Sequence, residues 1–218
     1  MKKSFCLHIL EETQTMNQEI NIVINGAFEI VKHLSRKFDI DDSHAMKHSI
    51  EVFKFARRIY KSELQNYPYL QNHHNIIVAA AILHDMCDKK YMPEEEGVAE
   101  IRKLASLFMS EKELDIVVQI ITTMSYSKVK QNGYPDLGEF QMAYHIVREA
   151  DLLAAYDIDR CIVFSMYKEN MCYTDAVSRA TQLFKTRVLN YRKDGLFVTE
   201  FSERLSKKLH ANAMKQDE

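Results

Sequence analysis

The sequence predicts an all-α fold, a single-domain helical bundle, and three observations carry that expectation. Glycine and proline are scarce, five and three in 218 residues, which leaves too few turn-formers for a strand-rich architecture. Apolar residues recur at helical spacing through most of the chain. One segment, residues 76–83 (IIVAAAIL), is apolar all round, the mark of a helix buried on every side. With 46% apolar residues the chain suits one compact domain with a full core.

Taken in order, residues from about 17 to 38 set Ile20, Val23, Ile24, Ala27, Ile30, Val31 and Leu34 on one stripe, an amphipathic lead helix. Asp42 or Ser43 caps the next helix, which runs to about Leu64 on a stripe of Ile50, Val52, Phe53, Ala56 and Ile59. Pro68 closes the loop before the buried helix. Pro93 fits the first turn of a helix beginning MPEEEG, whose three acids suit the N-terminal dipole. Ser110 and Glu113 form a capping box for a helix ending near Met124. Residues 125–138 (SYSKVKQNGYPDLG), with Asn132-Gly133 and Pro135-Asp136 as turn signals, read as the one long loop, of the kind that shapes active-site mouths. Further helices follow over about 139–170, 175–192 and 199 to the end.

Charge and cysteine content narrow the function classes. A net charge of −2 with acids and bases interleaved gives no basic footprint for duplex nucleic acid. Lys2 and Lys3 precede SFCLHIL, but Glu11 and Glu12 end that apolar run too early for a signal peptide or a membrane span. A cytoplasmic protein with no membrane partner is expected. Cys6, Cys87, Cys161 and Cys172 show no CxxC spacing, which fits reduced thiols. Cys87 reads as a small buried hydrophobe rather than a further metal ligand.

The chemistry-bearing residues stand out as charge in apolar surroundings. His84 and Asp85 end the buried run, so they are delivered towards the interior, where a carboxylate needs a partner or a metal. Continued as helix, the segment brings Asp88 to the same face. His48 falls near the start of an apolar stripe and can face inward. Asp151, in READLLAAYD, is a carboxylate bracketed by Ala150, Leu152, Leu153, Ala154 and Ala155. Plainer readings exist: His48 as a hydrogen-bonded core histidine, Asp151 as an ion-pair partner of Arg148, and Asp88 as a partner of Lys89 or Lys90. His145 reads as structural, and His73 and His74 as loop or first-turn residues.

The order His48 (in HSIEV), His84-Asp85 (in AAAILHDMCDKKY) and Asp151 (in READLLAAYD) resembles the H…HD…D signature of the HD-domain metal-dependent phosphohydrolases. SHAMKHSIEVFKFA is similar to that family's first metal-binding helix, ITTMSYSK to the segment between the second and third ligands in small stand-alone members, and DGLFVTEFSERLSKKLHANAM to their closing helix. The similarity covers about residues 41–214. It implies a helical bundle with one divalent ion, of the Mn, Co, Ni, Fe, Zn or Mg kind, held by His48, His84, Asp85 and Asp151.

Such a ligand set near charge balance leaves room for water and a phosphate oxygen, and the ion both acidifies water and polarises the phosphoryl group. Hydrolysis of a phosphoester or phosphoanhydride in a nucleotide or similar small phosphorylated metabolite is therefore expected. Asp88 matches the family's acidic residue three positions after the HD aspartate and is the expected proton-transfer group. His44, one turn before His48, and Lys128, in SYSK, are the expected phosphate-binding residues. READLLAA departs from the more polar run DADRLDA of related small members at Leu152 and Ala154, which leaves the substrate open. The alternative to an enzyme is a catalytically silent HD domain that binds metal and nucleotide as a sensor. A third reading is a structural bundle whose His and Asp need no ion.

Overall fold

The computed structural model describes residues 2–216, with side chains over 18–214, and every regular element among them is helical. Ten α-helices follow in order: α1 (Lys2–Lys37), α2 (Met46–Glu63), α3 (His74–Leu83), α4 (Glu94–Ala105), α5 (Glu111–Thr123), α6 (Tyr126–Asn132), α7 (Gln141–Ala154), α8 (Ile158–Tyr167), α9 (Tyr173–Thr186) and α10 (Glu200–Gln216). Among the described residues no helix is long and apolar enough to cross a membrane.

The core is organised around α3. Every residue from Ile76 to Leu83 is buried, because α1, α2, α5 and α7 pack against different sides of this one short helix. That is why its sequence carries no polar face. Helix α2 lies along α7, and α10 crosses both. Helices α8 and α9 pair as a hairpin beyond the end of α7. The lead helix follows its stripe: Val23, Ala27, Ile30, Val31 and Leu34 are all buried.

Several boundaries differ from the sequence expectation for identifiable reasons. The lead helix starts well before residue 17. Helix α2 begins at Met46 rather than at Asp42 or Ser43, because the Asp41 carboxylate accepts from the Ser43 amide at 2.8 Å and holds residues 41–45 in a turn. Pro93 stands just before α4 rather than in its first turn, and Pro68 opens a 3-10 helix over Pro68–His73. The expected helix over 139–170 breaks after Ala154, and Asp157 caps α8 by accepting from the Asp159 amide. The 125–138 segment is not one long loop. Ser125 caps α6, and Gly133, at φ 74°, ends it before an extended stretch. The capping box of Ser110 and Glu113 forms as the sequence reads.

Past Leu83 the chain leaves the helix, and residues 84–87 form a turn braced from behind by α4. Gly97 of α4 lies so close that a Cβ there would come within 2.7 Å of the Cys87 Cα. The absent side chain lets the turn bearing His84 and Asp85 sit directly on α4. Cys87 is buried, and burial pushes its thiol up to about 12, as expected of a small core residue. Cys87, Cys161 and Cys172 are free thiols; Cys6 lies outside the residues whose side chains are described.

Candidate metal centre and cavity

Three separate elements bring the expected ligands together. His48 comes from the first turn of α2, His84 and Asp85 from the turn after α3, and Asp151 from the last turn of α7. The two imidazole Nε2 atoms are 3.0 Å apart. Asp85 Oδ2 is 3.3 Å from each of them, and Asp151 Oδ1 is 3.3 Å from that of His48 and 3.7 Å from that of His84. The donor atoms of His48, His84 and Asp151 lie within 4.8 Å of one another, a group that can hold a metal ion.

The surroundings suit that donor set. His84 Nδ1–H donates to the Ala81 carbonyl at 3.0 Å, which fixes the ring and points Nε2 at the cluster, the usual arrangement behind a metal-binding histidine. The imidazoles and carboxylates match the preferences of a borderline divalent ion. Burial opposes charge on His84, yet the Asp85 and Asp151 carboxylates raise it to about 8. Burial, with the nearby Arg160, lowers His48 to about 4. Asp85 is held well below the usual carboxylate range by His84 against the opposing effect of burial, and Asp151 is lowered by its bond to His48 against the same effect.

A residue that the sequence reading missed completes the charge balance. Arg160 of α8 reaches Asp85 Oδ2 at 3.0 Å and Asp151 Oδ1 at 3.7 Å, while its Nε donates to the Ser43 carbonyl. One signal could have found it: Arg160 is the lone basic residue between Arg148 and Lys168, set before the apolar run CIVF. The plainer reading of Asp151 does not hold, since Arg148 instead donates to the Leu196 carbonyl and to the Tyr134 hydroxyl.

The cluster opens into a cavity of about 300 Å³ between the centre and the α8–α9 hairpin. Its lining includes Asp85, Asp151, Phe164, Leu183, Tyr191 and Arg187. Asp88 and His44 also line it; Lys128 does not.

Each of these three residues departs from a simple expectation. Asp88 accepts from the Lys90 amide at 2.9 Å and pairs with the Lys90 ammonium at 3.2 Å, having followed the turn rather than a continued helix. His44 is buried, and its Nε2 accepts from the Lys90 ammonium at 3.0 Å. An ammonium can only donate, so the neutral ring carries its proton on Nδ1, beside the Ser43 hydroxyl at 2.5 Å. Desolvation holds its pKa well below the ordinary value. His44 therefore has no free donor for an anion, and Lys90 is the cation at that wall. Lys128 is spent elsewhere: its ammonium pairs with Glu94 and donates to the Thr122 carbonyl at 2.6 Å, tying α6 to α4 and α5. From the 125–138 segment, Ser125 and Tyr126 line the cavity instead. His145 and His73 are buried away from it, His145 beside Gln141 and His73 against Phe140.

Compared with models of known families, with curated proteins and with solved structures, the chain has no match.

Proposed function

We propose that this chain is an HD-type metal-dependent phosphohydrolase acting on a nucleotide or a similar small phosphorylated metabolite. The observation that carries the reading is the convergence of His48, His84, Asp85 and Asp151, from three elements, beside a cavity lined by Asp85, Asp151 and Arg160. The resemblance of the same four residues to the HD signature supports it. These four side chains would hold one divalent ion. Bound there, the ion supplies Lewis acidity towards a phosphoryl oxygen and lowers the pKa of water.

The remaining work falls to the chain's own residues. Arg160 offers a planar pair of donors suited to phosphate oxygens, and once a cation shares its two carboxylates it is free to use them. Asp88, which lines the cavity and pairs with Lys90, would take a proton from the attacking water at a carboxylate oxygen. Phe164, Leu183 and Tyr191 exclude bulk water and give the bound group apolar contact.

A structural bundle needing no ion has Arg160 in its favour, because the guanidinium pairs with both carboxylates unaided. Metal content and turnover separate the readings. Protein purified without chelator is expected to retain about one divalent ion and, with Mn²⁺, Co²⁺, Ni²⁺ or Mg²⁺ added, to release phosphate or pyrophosphate from a panel of phosphorylated metabolites. Asp85→Ala is expected to lose the ion, the turnover and the stability that binding adds to the folded state. Unchanged metal content and melting temperature in that variant would overturn the metal centre. Metal and nucleotide binding without turnover would instead identify a sensor.

A further inference from the structure

Four cationic side chains line the cavity: Lys90, Arg160, Arg179 and Arg187. Three of them are answered by carboxylates. Lys90 pairs with Asp88 at 3.2 Å, Arg160 with Asp85 at 3.0 Å, and Arg179 with Glu169 at 2.6 Å. Arg187 has no carboxylate at ion-pair distance among the described residues. Its Nε donates to the Tyr191 hydroxyl at 3.2 Å, and its guanidinium lies over the Tyr126 ring, 4.8 Å from the centroid. Edge and face are thus both fixed by aromatic residues that line the same cavity, and among the described residues the two terminal nitrogens have no hydrogen-bond partner. A half-buried guanidinium, oriented but not neutralised, is a site for an anion.

The charge pattern specifies how many anionic groups the cavity takes. A divalent cation at the centre would compensate Asp85 and Asp151, and Arg160 would then also lack an anion. Two unneutralised guanidiniums, Arg160 beside Asp85 and Arg187 held by Tyr191 and Tyr126, would face one cavity of about 300 Å³. With one phosphate at Arg160, Arg187 is left to a further anionic group. Asp151 and Arg187 both line this cavity.

We propose that Arg187, held by Tyr191 and Tyr126, binds a second phosphate adjacent to the one at Arg160, which makes the substrates phosphoanhydrides rather than phosphate monoesters. The inference rests on the phosphohydrolase reading for its chemistry, while the binding site itself does not need it. In the reaction the water oxygen bonds to the phosphorus beside Arg160 and its proton passes to Asp88. The bridging P–O bond breaks, and its electron pair leaves on the phosphate held by Arg187.

The test uses the full-length Mn²⁺-loaded protein, with calorimetric titration of imidodiphosphate, which hydrolysis of P–O–P cannot consume, against inorganic phosphate. The wild type is expected to bind imidodiphosphate at least about tenfold more tightly than phosphate. Arg187→Gln should erase that preference, while phosphate affinity, metal content and melting temperature stay unchanged. A wild type without the preference, or an Arg187→Gln variant that keeps it, overturns the proposal. If the glutamine variant does not fold, Arg187→Lys is used, and undiminished discrimination there is equally fatal because lysine cannot reproduce the planar pair of donors. Turnover is read separately, as kcat/KM for a nucleoside 5′-diphosphate against its monophosphate. Monophosphate hydrolysis that equals diphosphate hydrolysis and ignores Arg187→Gln keeps the hydrolase and removes the subsite. Arg187-dependent imidodiphosphate binding with no turnover of any phosphate ester keeps the subsite and removes the hydrolase.

Discussion

Asp88 and His44 show how a single contact redirects a residue's chemistry. Both line the cavity, and both are engaged by Lys90, which bridges them through its ammonium. The pairing with Lys90 is the plainer reading of Asp88, and it coexists with a position at the cavity wall, so only kinetics can weigh the two. Asp88→Asn keeps an acceptor for the Lys90 amide while removing the basic carboxylate. Metal content is expected to stay at the wild-type level and the chemical step to fall about a hundredfold, the usual scale for losing an acid/base group. Loss of the ion would make Asp88 a ligand; full turnover would leave it as a partner of Lys90 alone. Of the residues that matter at this scale, the sequence pointed to His48, His84, Asp85 and Asp151 because charge beside apolar runs is anomalous. It did not point to Arg160 or Arg187, since an arginine is unremarkable until its partners are known, and those lie far away in the chain.

At the scale of elements, the fold is tied together by side chains that satisfy helix ends. The clearest case is Glu149 of α7, fully buried, whose carboxylate accepts from the amides of Val198 (2.6 Å) and Thr199 (3.2 Å) and from the Thr199 hydroxyl (2.6 Å). Thr199 in turn accepts from the Ser202 amide and caps α10. Burial raises the Glu149 pKa against these bonds, the mark of a carboxylate kept inside for its hydrogen bonds. Glu149→Ala leaves the amides at the start of α10 unsatisfied and is expected to cost about 3 kcal/mol of unfolding free energy, read by urea denaturation. A loss below about 1 kcal/mol would mean that water replaces the carboxylate. Lys128 belongs at this scale too: by joining α6 to Glu94 and Thr122 it fixes Ser125 and Tyr126 at the cavity wall.

For the whole molecule, the buried histidines set the response to acid. His48 and His145 are both lowered to about 4, chiefly by desolvation, and His44 and His74 are lowered for the same reason. A histidine whose folded pKa lies below its unfolded value contributes stability that is present above about pH 6.5 and lost as the pH falls towards the folded pKa. His84, raised to about 8, has the opposite sign, but its contribution is complete below pH 6.5 and adds no slope there. In EDTA, unfolding free energy is therefore expected to fall between pH 7 and 5, with His48 and His145 accounting for on the order of 1–2 kcal/mol each. His145→Gln should flatten part of that slope, and a stability independent of pH over this range would refute the assignment.

The sequence by itself determined the all-α class, the buried α3 and several helix limits, because these follow from local periodicity and from caps that lie within a few residues of one another, such as Ser110 with Glu113. It also marked His48 and His84, which are buried, and Asp151, which is half-buried, by the apolar residues beside them. Tertiary structure alone decided which charges meet. Arg160 reaches Asp85 across 75 positions and Lys90 reaches His44 across 46, while Lys128 is drawn away to Glu94 across 34. Such pairings depend on how α3, α7 and α8 pack, and no local periodicity encodes the separation of two side chains on different helices.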